Sequence, residues 1–532
     1  MKTTKNTEHF TEFSRRDFLR LAGSAGAAII VAGCGGGGGG GGVAPPGGGA
    51  LETLNFTITD AVKEMVTHEP NNPGAGAADC YFWVFKENRF PADCPGPQVF
   101  AISGDIITVN VTNALDGPHA FAIPGIAGAD TGPIAPGATA TITFTAGAPG
   151  TYLYHDNLNA PVNRVMGLHG AFVVMPAAPA PGQKLTPYGN PTASVQQLFN
   201  DFGSQPWWPG LAWGVGDPAN NTAAARQHIW LLHEASPVLF DEVGQFAMDN
   251  PGVDFPAADF IEAFINDPFI NTSNDPRTDT SADFPVKAQE TVTLPDGVTT
   301  MVRGLFNKKP HFFTINGQSG FFAHHNPAIT PMYRVGEPCL VRILNAGLWT
   351  HSLHLHANHF FVTAINNTPQ DNPIWIDVFN VFPMDHVDYV VPFMRPPDVP
   401  NARGIGRADT TQATLNGGTA WPPVEELARH MPELGAIVVT DFAGTGTADM
   451  AALQSPLCFP MHDHSEPTQT SQGGNYNCGL ISGMYFFGDR NTAGAMNFTL
   501  DAEFQMMIGR GRQSGETGPP VGGWPPEDIV PV

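Results

Sequence analysis

Short apolar runs alternate with polar residues and stop at turn-forming residues along much of the chain. In its N-terminal part, such runs cover residues 54–62, 99–113, 139–145, 150–155 and 170–175, and Gly104-Asp105 divides the second run. Strands of this length and spacing predict a β-sandwich of about 125 residues.

A second series of strand-like runs follows a stretch rich in Pro, Gly and Trp. It covers residues 226–235, 312–317, 336–345, 354–365, 387–392 and 479–487. Long insertions at about 241–296 and 396–454 separate these runs, and the later insertion contains a predicted short helix at 424–430. The segments GDIITVNVTNAL and GEPCLVRILNAG resemble each other, and YHDN and MHDH follow them. We therefore predict two sandwiches of one kind, related as an internal repeat.

Composition supports an all-β protein and excludes some functions. The 532 residues include 60 Gly and 50 Pro, only 14% are charged, and 42% are apolar. Low charge with many turn formers argues against coiled coils and helical repeats, while the apolar fraction is sufficient for a large core. With 25 Lys and Arg against 49 Asp and Glu, the net charge is −24, so we expect no nucleic-acid partner.

The N-terminus has the pattern of an export signal. The segment SRRDFL (14–19) precedes an apolar stretch at about 21–32 that is too short to span a bilayer. Paired arginines at this place are typical of a twin-arginine signal. VAGC (31–34) then resembles a lipobox that would be lipidated at Cys34, and eight glycines follow as a tether. We expect a membrane-anchored lipoprotein of the periplasm or cell surface; the alternative is a cleaved soluble signal.

These patterns divide the chain into six predicted parts. They are a signal at 1–34, a Gly-rich linker at 35–50, a first sandwich at 51–178, a linker at 179–224, a second sandwich with insertions at 225–490 and a C-terminal tail at 491–532. In an oxidising compartment, Cys80–Cys94 and Cys458–Cys478 are candidate disulfides, and Cys339 is predicted to be a buried thiol within a strand.

Histidines concentrate in two short segments of the second sandwich. In THSLHLHANHFFV (350–362), strand alternation puts His354 and His356 on one face and His351 on the other. In MHDH (461–464), His462 and His464 share a face and Asp463 points the opposite way. Two such pairs on neighbouring strands would supply four converging nitrogens for metal ions. Eight further histidines are interpreted as ordinary core or surface residues; they are His68, His228, His233, His311, His324, His325, His386 and His430.

From about residue 54 to 488, the chain resembles the multicopper oxidase and copper nitrite reductase superfamily, which is built from cupredoxin domains. The first sandwich carries the resemblance in CPGP (94–97), GTYLYH (150–155) and GLHGAFVV (167–174). The second sandwich carries it in the two histidine segments. The resemblance implies an all-β fold of two cupredoxin-like Greek-key β-sandwiches, the second with long insertions, and copper as cofactor.

The resemblance also implies a set of copper ligands. His354, His356, His462 and His464 match type 2 and type 3 copper ligands, together with His155 from the first domain. Two further histidines belong to the candidate metal residues, namely His119 and His351. His119 serves either the cluster or a lost type 1 site, and its spacing leaves both open.

The chain departs from the family at the type 1 copper positions. Asp463 and Asp156 stand where the type 1 cysteine is expected, Asn163 stands near the place of a type 1 histidine, and Asn157 replaces a further histidine. Because a carboxylate provides neither the strong colour nor the electron route of a thiolate, we expect no intense blue absorption. Alternation points Asp463 and His351 into the second sandwich, where they form either a buried ion pair or a small N/O metal site.

Three functions follow from these observations. The first is an exported copper oxidoreductase that oxidises a small donor, such as manganous or ferrous ions, with dioxygen. The second is a non-catalytic copper-binding or structural lipoprotein on the same scaffold, and the third is nitrite reduction, ranked last because it normally depends on type 1 copper. In two-sandwich relatives the cluster often lies between subunits, so we expect a homo-oligomer, a homotrimer by that likeness.

Overall fold

The structure is a computed structural model of the chain. It describes residues 28–30, 51–66, 77–176, 181–202, 227–266, 290–293, 299–302, 308–324, 326, 328–333, 338–356, 358–392, 436–441, 444–449, 457–465, 468 and 479–486. Most elements are strands, which confirms the all-β prediction. No helix among these residues is long and apolar enough to cross a membrane. The predicted helix at 424–430 lies outside them.

The first sandwich consists of two four-stranded sheets. Its strands are β1 (Ala28–Ile30), β2 (Leu51–Val66), β3 (Ala77–Glu87), β4 (Gln98–Ile102), β5 (Ile106–Asn113), β6 (Thr139–Thr145), β7 (Gly150–His155) and β8 (His169–Met175). One sheet has the order β1–β4–β8–β7 and the other β3–β2–β5–β6. Buried residues of both sheets, such as Phe56, Val109, Val99 and Phe172, share one core.

The second sandwich pairs a six-stranded sheet with a five-stranded sheet. Its strands are β9 (Gln227–Ala235), β10 (Glu290–Thr293), β11 (Thr299–Val302), β12 (Phe312–Ile315), β13 (Met332–Tyr333), β14 (Cys339–Asn345), β15 (His351–Leu355), β16 (Phe360–Ile365), β17 (Thr368–Ile376), β18 (Val378–Val381), β19 (His386–Val391), β20 (Ala436–Asp441), β21 (Gly444–Asp449), β22 (Leu457–Asp463) and β23 (Ile481–Phe486). The sheet orders are β12–β9–β14–β19–β16–β17 and β13–β23–β22–β15–β18, while β10–β11 and β20–β21 form separate pairs.

Within the part of the chain that the structure describes, five helices flank the sandwiches. They are α1 (Val162–Val165), α2 (Ala193–Phe202), α3 (Pro237–Asp249), α4 (Ala257–Asn266) and α5 (Gly320–His324). Helix α3 begins at Ser236, whose side chain accepts a hydrogen bond from the amide of Leu239, as a helix cap does. The stretch predicted as a linker contains α2, which packs Phe199 into a cluster with Phe361.

Strand β3 was not predicted, and its surroundings explain why. Its apolar residues do not alternate with polar ones, because both of its faces are covered. Phe85 packs into the sandwich core against Phe56, with ring centroids 6.1 Å apart. On the other face Phe82 packs against Phe240 of α3 at 5.6 Å. A strand buried on both faces has a continuous apolar sequence that periodicity alone does not identify.

The two sandwiches meet where the β7–β8 sheet packs on β9 and β14. Leu153 and Val173 of the first sandwich share an apolar cluster with Leu231 and Leu344 of the second. Arg342 of β14 is fully buried beneath this cluster and donates from Nη1 to Thr151 Oγ1 at 2.9 Å. The interface is therefore a packed core with a buried cation, which holds the two sandwiches in one relative position.

The predicted disulfide between Cys80 and Cys94 is corrected by the structure. Both residues are free and buried thiols. Cys339 is also a free buried thiol within β14, which confirms that prediction. The other suggested pair involves Cys478, which lies outside the described residues, so that pairing stays a prediction.

Asn367 joins the two sandwiches by a paired hydrogen bond and gives a test of the interface. Its Oδ1 accepts from Thr151 N at 2.7 Å and its Nδ2 donates to Thr151 O at 2.9 Å. Asn367 has a φ of 59°, so Asn367→Gly removes both bonds without adding backbone strain. We expect a loss of about 1–3 kcal/mol in the free energy of unfolding, measured by denaturant titration. Thr143→Val, within the exposed Thr108–Thr143 pair, is the control with little effect, and equal stability of Asn367→Gly and the parent would contradict the interface.

Candidate functional site

Four histidine rings converge on one edge of the second sandwich. Strands β15 and β22 are antiparallel neighbours, with His354 directly opposite His462. Ring centroids lie 5.0 Å apart for His354 and His356, 4.8 Å for His354 and His464, and 4.9 Å for His356 and His462. Ligand atoms of His354, His356 and His462 all lie within 4.8 Å of one another. The strand alternation predicted from the sequence thus brings these four rings together.

Backbone hydrogen bonds orient two of these rings. Nδ1 of His462 bonds to Asp463 O at 3.0 Å, and Nδ1 of His354 bonds to Asp377 O at 3.1 Å. A carbonyl accepts a proton, so both rings carry it on Nδ1 and keep a lone pair on Nε2. This is the second-shell pattern of metal-binding histidines. Nε2 of His462 faces Nε2 of His356 at 2.8 Å.

The cluster is electrostatically suited to a cation. Burial, assisted by the charges of the neighbouring rings, lowers the pKa of His462 to about 4. The pKa of His356 is lowered by burial and by the charge repulsion of His354 and His464. Neutral imidazoles result, which are the form that ligates metal. His356 and His464 are exposed, so the cluster is open to solvent on one side.

His351, on the opposite face of β15, lies between two buried carboxylates. Its Nδ1 lies 2.7 Å from Asp463 Oδ2, as the ion-pair interpretation predicted, and its Nε2 lies 2.8 Å from Glu234 Oε1. All three side chains are fully buried. Because carboxylates face both ring nitrogens, the metal site that we propose below does not include His351.

Glu234 was missed by the sequence analysis, although an acidic residue in the apolar strand β9 was an available signal. Its carboxylate also accepts from Leu348 N at 2.9 Å. Gly347 allows this approach, since a Cβ there would overlap the Glu234 carboxylate. The buried Arg164 lies nearby and donates a hydrogen bond to Gly347 O at 3.0 Å. Burial lowers the pKa of Arg164, and the charge of Glu234 acts in the opposite direction. Two cations, Arg164 and His351, therefore balance two carboxylates.

The direction of each pKa shift in this triad follows from the charges around the group. Burial alone would lower the pKa of His351, but Asp463 and Glu234 outweigh it and raise the pKa to about 10. Burial alone would raise the pKa of Glu234 and of Asp463, but His351 outweighs it, so both pKa values lie below their ordinary range. The triad is thus a carboxylate–imidazolium–carboxylate arrangement.

The triad predicts how stability depends on pH. The contribution of His351 is complete below its ordinary pKa of 6.5 and is lost as the pH rises toward about 10. The contributions of Glu234 and Asp463 are complete above their ordinary pKa values of 4.5 and 3.8 and are lost at lower pH. We expect the free energy of unfolding to fall between pH 6.5 and 10. Asp463→Asn should lose about 3–5 kcal/mol near pH 6 and show a shallower alkaline decline in denaturant titrations. An identical alkaline decline in the parent and this variant would contradict the triad.

In the first sandwich, His119 forms a similar pair with a carboxylate. Its Nδ1 lies 2.7 Å from Asp156 Oδ2, and Asn163 donates to the same oxygen at 2.9 Å. Asp156, which stands at the place of the type 1 cysteine by resemblance, therefore bonds both to His119 and to Asn163. A small solvent-open pocket reaches His119 and Asn163 between Trp83 and Phe255.

In the part of the chain that the structure describes, His155 is not among the ligand atoms that converge with those of His354, His356 and His462. It is buried at the end of β7, its Nδ1 bonds to Asp156 O at 2.9 Å, and its Nε2 has no hydrogen-bond partner. Its predicted role as a cluster ligand stays a prediction.

Two stretches of the chain match a family model described as multicopper oxidase. They are residues 89–179, which contain His119 and His155, and residues 294–393, which contain His351, His354 and His356. An L-ascorbate oxidase from Brassica rapa subsp. pekinensis is 35% identical over 92 residues, which cover 15% of this chain and 16% of that protein. The match thus spans about a sixth of the relative.

Two solved structures have a shape similar to that of this chain. A blue copper oxidase from Nitrosomonas europaea has 15% identity and a TM-score of 0.42, covering 82% of this chain and 86% of its own. The copper nitrite reductase from Nitrosomonas europaea has 13% identity and a TM-score of 0.39, covering 85% and 98%.

The two sandwiches have the cupredoxin-like fold expected from the sequence. In residues 89–179 and 294–393 the chain matches multicopper oxidase domains, and proteins of that family bind copper. These matches confirm the resemblance inferred from the sequence motifs.

Proposed function

We propose that this protein is a copper-dependent oxidoreductase in which His354, His356, His462 and His464 hold copper. The observation that carries the proposal is the convergence of these four rings from adjacent strands at a solvent-open edge. Copper bound there would supply open coordination positions for the reduction of dioxygen. At other positions of the family pattern this chain has carboxylates or amides, namely Asp156, Asp463, Asn157 and Asn163, whereas His155 is retained.

The donor set fits copper. His462 carries its proton on Nδ1, so its Nε2 presents a lone pair to His356 Nε2 at 2.8 Å. Two imidazole nitrogens that face each other at this distance are positioned as ligands. Imidazole suits copper among the divalent metals, and copper is favoured in the general affinity order of these metals. No carboxylate takes part in the convergent group of His354, His356 and His462, whereas calcium or magnesium would require oxygen ligands.

The residues around the cluster have separate roles in this proposal. Asp463 anchors His351 inside the sandwich and orients His462 through its backbone carbonyl. Asp377 fixes His354 through its own carbonyl. The exposed His356 and His464 border the side from which a small donor and dioxygen arrive. With aspartate at both type 1 positions, the donor reaches the cluster directly or through another protein.

Small metal ions are the donors that we propose, with ferrous or manganous ions as examples. The net charge of −24 attracts cations to the molecule and raises their local concentration.

The exported, lipid-anchored location and the homotrimer belong to the same proposal. A second subunit would add ligands at the open face of the cluster, and light scattering of the purified protein measures the subunit number.

Copper binding tests the site directly. His356→Ala combined with His462→Ala should weaken copper binding by more than about tenfold, because two of the facing ligands are lost. Metal analysis after dialysis against a competing chelator measures the change. His359→Ala is the matched control, since this histidine lies in the same segment but stacks on Trp375. Unchanged copper content in the double variant would contradict the site.

A non-catalytic copper-binding protein is the second candidate. The observation that favours it is that both type 1 replacements, Asp156 and Asp463, are hydrogen-bonded to histidines, namely His119 and His351. These pairs fill the places from which electrons would enter in the family pattern.

Oxygen uptake separates the two candidates. If the protein is an oxidoreductase, we expect the copper-loaded form to consume dioxygen with ferrous ions, manganous ions or a phenol. We also expect that the His356→Ala and His462→Ala double variant does not. A fully copper-loaded protein that consumes no dioxygen with any of these donors would favour the binding role. An oxygen electrode gives the measurement, with the metal-free protein as the background control.

A further inference from the structure

Three buried side chains from separate elements meet between the two sandwiches. Cys94 precedes β4, His169 begins β8, and His233 lies on β9 of the second sandwich. They are 2%, 0% and 2% exposed. One ligand atom of each lies within 4.8 Å of the other two. None of the three belongs to the open cluster described above.

Each histidine of this group is oriented by a carbonyl. Nδ1 of His169 bonds to Arg164 O at 2.8 Å, and Nε2 of His233 bonds to Val165 O at 2.7 Å. These carbonyls accept protons, so the lone pairs fall on Nε2 of His169 and Nδ1 of His233. Nε2 of His169 is buried without a hydrogen-bond partner. Metal-binding histidines have this arrangement, with one nitrogen bonded to a carbonyl and the other free to ligate.

Hydrogen bonds and close packing fix the backbone around Cys94. Gly96 N donates to His169 O at 2.9 Å, which ties the Cys94 loop to β8. Lys63 Nζ donates to Cys94 O at 2.9 Å. Gly167, with φ +118°, passes so close that a Cβ there would lie 3.2 Å from Cys94 Sγ. The thiol is thus positioned from several sides.

If Cys94, His169 and His233 served only to fill space in the core, their arrangement would have no explanation. A buried nitrogen without a hydrogen bond costs about 1–3 kcal/mol, and an apolar residue at position 169 would avoid that cost. Burial lowers the pKa of His233 to about 4 and the pKa of His169 well below its usual range. Both rings are therefore neutral, and no ion pair with a carboxylate accounts for them.

We propose that Cys94, His169 and His233 bind one monovalent copper ion in a dry three-coordinate site. A thiolate and two imidazoles are soft ligands, which select monovalent copper. Around one ion with bonds of about 2.0–2.3 Å, ligand atoms lie about 3.5–4 Å apart, within the spacing found here. The thiolate and the copper ion cancel in charge, which suits a buried pocket. Zinc prefers four ligands and would leave a positive charge there.

Binding is written as an exchange of the thiol proton for the metal. Cys94 releases its proton to solvent, the sulfur forms a bond to copper, and no electron is transferred. The site is independent of the open cluster and of its proposed activity. Monovalent copper has a filled d shell and is colourless, so the site agrees with the expected lack of intense blue absorption.

The test uses the full-length protein, reduced and loaded anaerobically with monovalent copper in competition with a chelator. X-ray absorption should show copper–sulfur scattering, and Cys94→Ser should remove both this signal and one bound copper per chain. Cys80→Ser and Cys339→Ser are matched controls, because both are buried thiols that should leave the signal unchanged. The double variant His356→Ala and His462→Ala should keep it, which separates this site from the cluster.

Three results would overturn the proposal. The first is the lack of copper–sulfur scattering in the loaded parent protein, which does not depend on whether any variant folds. The second is a Cys94→Ser protein that melts like the parent and still shows the sulfur signal. A loaded parent protein that binds zinc but not monovalent copper at Cys94 would also overturn the choice of metal.

Discussion

The position of His351 between Glu234 and Asp463 is the constraint on which both candidate sites depend. This buried histidine connects β15 to β22 through Asp463 and to β9 through Glu234. A slip of one residue in any of these strands would expose a charge of the triad to the apolar core, at a cost of several kcal/mol. The triad therefore specifies the strand register, and the register decides which face every neighbouring side chain occupies.

Because side chains alternate between the two faces of a strand, the register set by the triad also positions two other groups of residues. On β15 and β22, the residues beside the triad point away from the core, and these are the histidines of the open cluster. On β9, Glu234 points into the second sandwich, so His233 points toward the first and reaches His169 and Cys94. One buried ionic arrangement thus positions a solvent-open histidine cluster and a dry thiol–histidine group.

The sequence predicted the strands and the cluster because both follow from alternation and local spacing. Strands β6 and β7 lie at the predicted bounds, and His354, His356, His462 and His464 converge as predicted. Glu234, β3 and the Cys94 group were missed because each depends on contacts between distant segments. Cys94 and His233 are 139 positions apart, and nothing local to either shows that they meet. A pair of cysteines in a chain expected to be exported suggested a disulfide, whereas Cys80 and Cys94 are separate buried thiols in the fold.

The central claim is that the four-ring cluster holds copper. Pulsed electron paramagnetic resonance of the protein loaded with divalent copper tests it most directly, because the method detects histidine nitrogens coupled to the copper spin. The account predicts couplings from several imidazoles in the parent protein and their loss in the His356→Ala and His462→Ala double variant. Copper without histidine couplings, or with couplings unchanged in the double variant, would contradict it.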